Sequence, residues 1–133
     1  MVTGPDQERA MTVKAISLAE KHSKFEEPWS PKRIAVVDGY DVKLAKAIGS
    51  FDWHKHDEED ELFFVSQGLL HIEIEGQDTV KLGPGELCVI PKGVRHRPVA
   101  RTSDVHILLF EKSGVVNTGD NTDSDLTQTV EDL

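Results

Sequence analysis

The sequence predicts an all-β protein, a sandwich or barrel of short strands preceded by a short N-terminal helix or turn. Three observations lead there. From Arg33 onward, apolar runs of four to eight residues lie between Gly and Pro residues at short intervals. No run sustains a helical period over twelve residues. The clearest run, LLHIEIE (69–75), alternates Leu70, Ile72 and Ile74 with His71, Glu73 and Glu75. That alternation places the apolar set on one face of a half-buried strand. Many short strands with Gly and Pro turns build sandwiches and barrels.

Taken in order, residues 1–11 read as a flexible leader, and ISLAEKHSKF (16–25) as a short helix. EEPWSPK follows as turn and loop, with two prolines. The strand candidates are IAVV (34–37), VKLAKAI (42–48), ELFFV (61–65), LLHIEIE (69–75), TVKL (79–82), ELCVI (86–90) and HILLFE (106–111). EGQD (75–78) connects two of them as a hairpin. The expected organisation is a single barrel domain over 12–116 and an acidic tail over 117–133. That tail carries five acids and no Lys or Arg, which reads as a solvated end or as a segment packed on a second subunit.

A chain of 133 residues is long enough for one real core. The net charge of −9 argues against nucleic acid and against anionic membrane surfaces, both of which need clustered Lys and Arg. The polar start MVTGPDQERA lacks the apolar stretch of a signal peptide, and no apolar run nears the length of a membrane span. Cys88 is alone, so there is no disulfide framework. A cytoplasmic protein is the expectation.

The chemistry concentrates in two stretches. In WHKHDEEDELFFVSQG (53–68), His54 and His56 sit two apart, so on a strand both imidazoles face one space. About forty residues later comes GELCVIPKGVRHRP (85–98), where Gly85, Pro91, Gly93 and His96 follow the spacing G-x5-P-x-G-x2-H. A strand there ends at a Pro turn, Gly93 permits an unusual backbone angle, and the chain re-enters as a strand carrying His96.

These two stretches resemble the two motifs of the cupin superfamily. The first family motif, G-x5-H-x-H-x3,4-E-x6-G, is matched by Gly49-x4-His54-x-His56-x4-Glu61-x6-Gly68. The second, G-x5-P-x-G-x2-H-x3-N, is matched through His96, with Ala100 where Asn is usual. The shortened Gly49 spacer and Ala100 are the two departures, and neither removes a ligand. WSPK early and NTGD late also look like the small single-domain bacterial cupins. The resemblance implies a double-stranded β-helix, an RmlC-like jelly-roll barrel closing on a metal. The ligands it carries over are His54, His56, Glu61 and His96. Three imidazoles and one carboxylate suit one divalent transition metal per chain, Fe, Mn, Ni, Zn, Cu or Co, and leave positions open for a small molecule. Of the five consecutive acids, Glu61 keeps the six-residue spacing to Gly68, and Asp57 to Asp60 become a solvated loop.

Strand parity extends the pocket. Counted back from His54, Asp52, Ser50, Ile48, Lys46, Leu44 and Val42 would face inward unless Gly49 makes a bulge. Lys46 is thus a candidate contact for an anionic substrate, or else a lysine turned outward or ion-paired. Phe63 and Val65 share the parity of Glu61, and Val94 and Pro98 that of His96. His106 opens the last strong strand as a candidate pocket acid–base group or a structural histidine. His22 and His71 are expected to face solvent, and Cys88 to be an inert small hydrophobe. Apolar residues on both faces of the 42–53 stretch suggest cover by N-terminal strands or by a second subunit, and a homodimer, as is common among cupins, is the expectation. Two functions follow from the resemblance. One is a metal-dependent enzyme on a small molecule, an oxygenase ahead of an isomerase or lyase. The other is a binding or sensing module that holds a small molecule without turnover.

Overall fold

The computed structural model describes residues 12–133, so the expected leader over 1–11 lies outside the described residues. A short helix, α1 (Leu18–His22), is started by Ser17, whose hydroxyl accepts from the Glu20 amide at 3.1 Å. Eight strands follow before the C-terminal segment: β1 (Lys32–Val37), β2 (Tyr40–Ala47), β3 (Glu61–Gln67), β4 (Leu70–Ile74), β5 (Val80–Leu82), β6 (Leu87–Ile90), β7 (His96–Ala100) and β8 (Val105–Lys112). A two-residue strand, β9 (Glu131–Asp132), closes the chain.

The strands form two sheets, ordered β6-β3-β8-β2-β1-β9 and β5-β4-β7. Segment 49–56 runs beside β7 as an irregular edge of the smaller sheet, bridging Ser50 to Val99 and His54 to His96. The chain therefore crosses from the large sheet to the small one at Gly49, whose φ of +64° is open to glycine at no steric cost. Between the sheets lies an apolar core that includes Ala45, Ala47, Phe63, Val65, Leu70, Ile72, Ile107 and Leu109. Among the described residues the regular structure is strand apart from one five-residue helix, the jelly-roll architecture expected.

The Gly49 corner reverses the parity expected for β2. Its odd residues Lys43, Ala45 and Ala47 are buried, while Lys46 is half-buried and Ile48 exposed; Leu44 is buried too, but outside the core cluster between the sheets. Alternation cannot be counted through a residue at which the chain changes sheets.

The last segment is not a solvated end. Val115 and Thr118 are buried, and Leu126 packs on the core. Backbone bonds tie Asp120 to Lys55, and β9 pairs in parallel with β1, matching Lys32 to Glu131 and Arg33 to Asp132. Lys32–Glu131 and Arg33–Asp132 ion pairs reinforce that edge. Two of the segment's five acids, Glu131 and Asp132, thus meet bases on β1, which helps a run without a base of its own to fold back. Among the described residues no helix is long and apolar enough to cross a membrane.

Candidate metal centre

His54 and His96 stand opposite each other on the 49–56 edge and β7. Each backbone amide donates to the other's carbonyl, at 3.0 and 2.8 Å, and their rings are 4.4 Å apart. Two residues on, His56 presents its ring to the same space, and its carbonyl accepts from the Gly93 amide at 2.7 Å. Gly93 holds φ +80°, the left-handed turn conformation its place in the motif calls for. Glu61, the first residue of β3, enters from the facing sheet. Its Oε1 lies 3.3 Å from His56 Nε2 and 3.4 Å from His96 Nε2. One ligand atom from each of the four residues lies within 4.8 Å of all the others.

The tautomers are set from behind. Nδ1 of His54 donates to the Asp52 carbonyl at 2.9 Å, and Nδ1 of His96 to the Val94 carbonyl at 3.0 Å. Both rings then turn bare Nε2 lone pairs inward, the arrangement that orients histidine ligands. His56 Nε2, His96 Nε2 and Glu61 Oε1 are buried and make no hydrogen bond. Buried polar atoms without partners are rare, and a shared cation would satisfy all three at once. Burial, with His96 beside it, lowers the His54 imidazole to about 4, so its lone pair is free at neutral pH. Burial also works against the charged form of Glu61, but His56 and His96 outweigh it and hold the carboxyl well below its usual range. For His56, burial is overcome by Glu61, with Glu59 adding to it, and the imidazole rises above its ordinary value. The residues present fit a transition metal: imidazole nitrogen donors and one ionised carboxylate.

The cluster separates two spaces. On the inner side His54 and Glu61 join Trp29, Phe51, Phe63, Ile107 and Leu109 around a mainly apolar cavity of about 30 Å³. On the outer side His56 forms part of an open hollow of about 280 Å³, with Asp57, Glu58, Glu59, Asp120 and Val116 around it.

The Cupin domain family model matches residues 40–110, more than half of the 133-residue chain. The chain belongs to the cupin family. It is 34% identical to the uncharacterized protein YdbB of Bacillus subtilis (strain 168) over 98 residues, 74% of this chain and 80% of that one. A cupin-2 domain protein of Shewanella frigidimarina shares 41% identity with a TM-score of 0.71, over 74% of this chain and 94% of the other. A hydroquinone 1,2-dioxygenase of Sphingomonas sp. TTNP3 has a TM-score of 0.68 over 91% of this chain and 85% of its own, at 14% identity, a likeness of fold alone.

The other residues singled out in the sequence fall on both sides of this cupin's sheet. Phe63 lines the cavity and meets the His96 ring edge-on at 6.0 Å. Lys46 and His106 do not reach it. They are paired across β2 and β8 and point to the outer face, as the reversed parity requires. There Lys46 lies over the Phe25 ring at 5.6 Å, with Glu26 4.0 Å away, and His106 Nε2 is 3.0 Å from Asp104. His22, expected in solvent, is 1% exposed; it stacks on His106 at 4.4 Å and its Nε2 faces the carbonyls of Ala45 and Ile107 at 3.3 Å. The helix around His22 carries few apolar residues, so its docking was invisible locally. Of the acids, Asp57 pairs with Lys55 at 2.8 Å and Asp60 accepts from the Lys92 amide at 2.9 Å, both exposed. Missed from the sequence were Trp29 and Asn117 in the cavity wall. Nδ2 of Asn117 donates to the Trp29 carbonyl at 3.4 Å and to that of Leu126 at 2.9 Å. WSPK and NTGD, far apart in sequence, thus meet at the barrel mouth.

Proposed function

We propose that this cupin is a metal-dependent enzyme acting on a small molecule with an apolar body, with oxygenase chemistry ahead of isomerase or lyase chemistry. The observation that carries the reading is the convergence of three inward nitrogen donors and one ionised carboxylate beside an apolar cavity. His54, His56, Glu61 and His96 would hold one divalent transition metal. Bound there, such a metal supplies Lewis acidity and open coordination positions. The protein's own part is clear from its side chains. Trp29, Phe51, Phe63 and Leu109 exclude water, and Asp52 and Val94 carbonyls keep the two histidines in their ligating tautomer. The cavity has room for a water molecule or two, so an organic substrate requires the Asn117 wall to move. The carboxylates around the outer hollow create a field that favours approach of a cation to His56. The outer face of the large sheet, with Leu87 and Val89 more than half exposed beside Leu62, Phe64 and Phe110, supports a homodimer.

Metal analysis tests this reading. Protein purified without added metal is expected to carry about one transition metal per chain, and His54→Ala and His96→Ala to lose it. Glu61→Gln is expected to weaken retention, and Glu58→Gln and Glu59→Gln to leave it unchanged. Equal effects at all three acids would overturn the ligand assignment. Oxygen consumption with diketones, catechols and thiols separates turnover from binding alone.

A further inference from the structure

Behind Glu61 lies a second buried charged group that the proposed chemistry does not use. Lys43 on β2 and Glu111 on β8 form an ion pair at 2.9 Å, with both side chains 1% exposed. Strand register places them. Asp41 pairs with Glu111 and Leu62 with Phe110, so Glu61 and Glu111 are neighbours on the inner face of adjacent strands. Lys43 is two residues along β2 from Asp41, on the same face. Asp41 itself is occupied elsewhere, accepting from Ser113 at 2.6 Å with Arg33 at 3.6 Å. Lys43 engages one Glu111 oxygen, and the other, Oε1, is buried with no hydrogen bond. Neither Lys43 nor Glu111 lines the cavity.

Stability does not account for this pair. Burying two charges costs several kcal/mol per ion, and well-packed apolar side chains of similar volume commonly do as well or better. Farther along the inner face that apolar choice is made, with Ala45, Phe63, Ile107 and Leu109. The pair lies in the layer that carries Glu61. The charge count points the same way. Glu61 and Glu111 lie side by side in a dry layer, and the Lys43 ammonium engages Glu111 alone of the two. A divalent cation between Glu61 and the three histidines would supply the missing positive charge.

We propose that Lys43 and Glu111 are positioning residues for the metal centre. The anchored Glu111 carboxylate bounds the space available to Glu61, and so fixes which Glu61 oxygen faces the histidines. This rests on the metal-centre reading above. Groups that orient a ligand in this way typically change metal affinity ten- to a hundredfold when lost.

The test uses the full chain loaded with Co²⁺, whose visible bands report ligand geometry, with affinity read by chelator competition. The wild type is expected to bind one Co²⁺ per chain. The double variant Lys43→Met/Glu111→Leu is expected to fold, with a metal-free melting temperature no lower than wild type. It is expected to bind Co²⁺ ten- to a hundredfold more weakly and with shifted bands. Glu111→Gln, which keeps the volume, is expected to shift the bands too, and it serves alone if the double variant does not fold. Affinity within twofold and unchanged bands in the folded variants would overturn the positioning role while leaving the metal centre intact. A wild type that binds no Co²⁺ would overturn the metal centre itself, and this role with it.

Discussion

Gly119 is the point at which the C-terminal segment is pressed against the candidate metal centre, and Gly119→Ala tests whether that contact closes the barrel mouth. The residue sits at φ +54°, where an L side chain costs about 1–2 kcal/mol. A Cβ there would lie 2.9 Å from the Lys55 carbonyl carbon and 3.2 Å from His54 Cδ2. Neither neighbour can withdraw easily. Residues 54–56 are held on both sides by the His54–His96 backbone pair and by the Gly93 amide on the His56 carbonyl. Overpacking against a fixed backbone adds about 1–3 kcal/mol, for a total strain of about 2–5 kcal/mol. Opposing it locally are two hydrogen bonds. The Asp120 amide donates to the Lys55 carbonyl at 3.0 Å, and the Lys55 amide to Asp120 Oδ1 at 2.9 Å. At about 0.5–1.5 kcal/mol each, they contribute about 1–3 kcal/mol. Strain therefore matches or exceeds this local anchoring, and the Gly119–Asp120 contact with Lys55 loosens while Asn117 and Thr118 stay anchored. Even 2 kcal/mol corresponds to about a thirtyfold rise in opening. Hydrogen exchange followed by mass spectrometry should show the Lys55 and Asp120 amides exchanging at least tenfold faster in a barrel whose strands keep their protection. Exchange within threefold of wild type at both amides would refute the reasoning.

Two further outcomes follow from buried groups outside the centre. His22 is held below its ordinary value by burial first and by its stacked neighbour His106 second. The unfolded chain then takes up more protons than the folded one, so stability is full above about pH 6.5 and declines as pH falls toward the depressed value. Denaturant titrations of His22→Phe should show a shallower loss between pH 6.5 and 5 than wild type; an unchanged slope would remove His22 as its source. Cys88 is pushed up to about 11 by burial and by Glu61. At pH 8 its thiolate fraction is about two hundredfold below that of an ordinary thiol, and greater intrinsic nucleophilicity recovers about tenfold. Alkylation of the folded protein should be at least about twentyfold slower than that of free cysteine, and should equalise in denaturant.

Much of this cupin was legible locally. Alternation in LLHIEIE placed Leu70 and Ile72 in the core, where both are fully buried. The glycine and proline punctuation marked the strands of both sheets, because turn geometry depends on a few adjacent residues. Spacing to Gly68 separated Glu61 from Asp60, and the two prove to differ in burial, one inside the barrel and one in solvent. What local pattern could not supply was anything decided by a change of sheet or by register between distant strands. The turn at Gly49 sends Lys46 outward and Lys43 inward, and no count of alternation survives that corner. Lys43 and Glu111 meet only because β2 and β8 are paired, and a lysine in a strand carries no local sign of the carboxylate it will face. Trp29 and Asn117 wall the cavity from opposite ends of the chain, and His22 is buried by a sheet with which its own helix shares no sequence signal. Periodicity and turn chemistry are properties of neighbouring residues, and they determined the strands and the sandwich-or-barrel class, while the resemblance of the two motifs to cupins supplied the jelly roll and the candidate ligands. Which charges are dry, which faces are covered and how large the cavity is depend on contacts across tens of residues, and only the tertiary structure decided them.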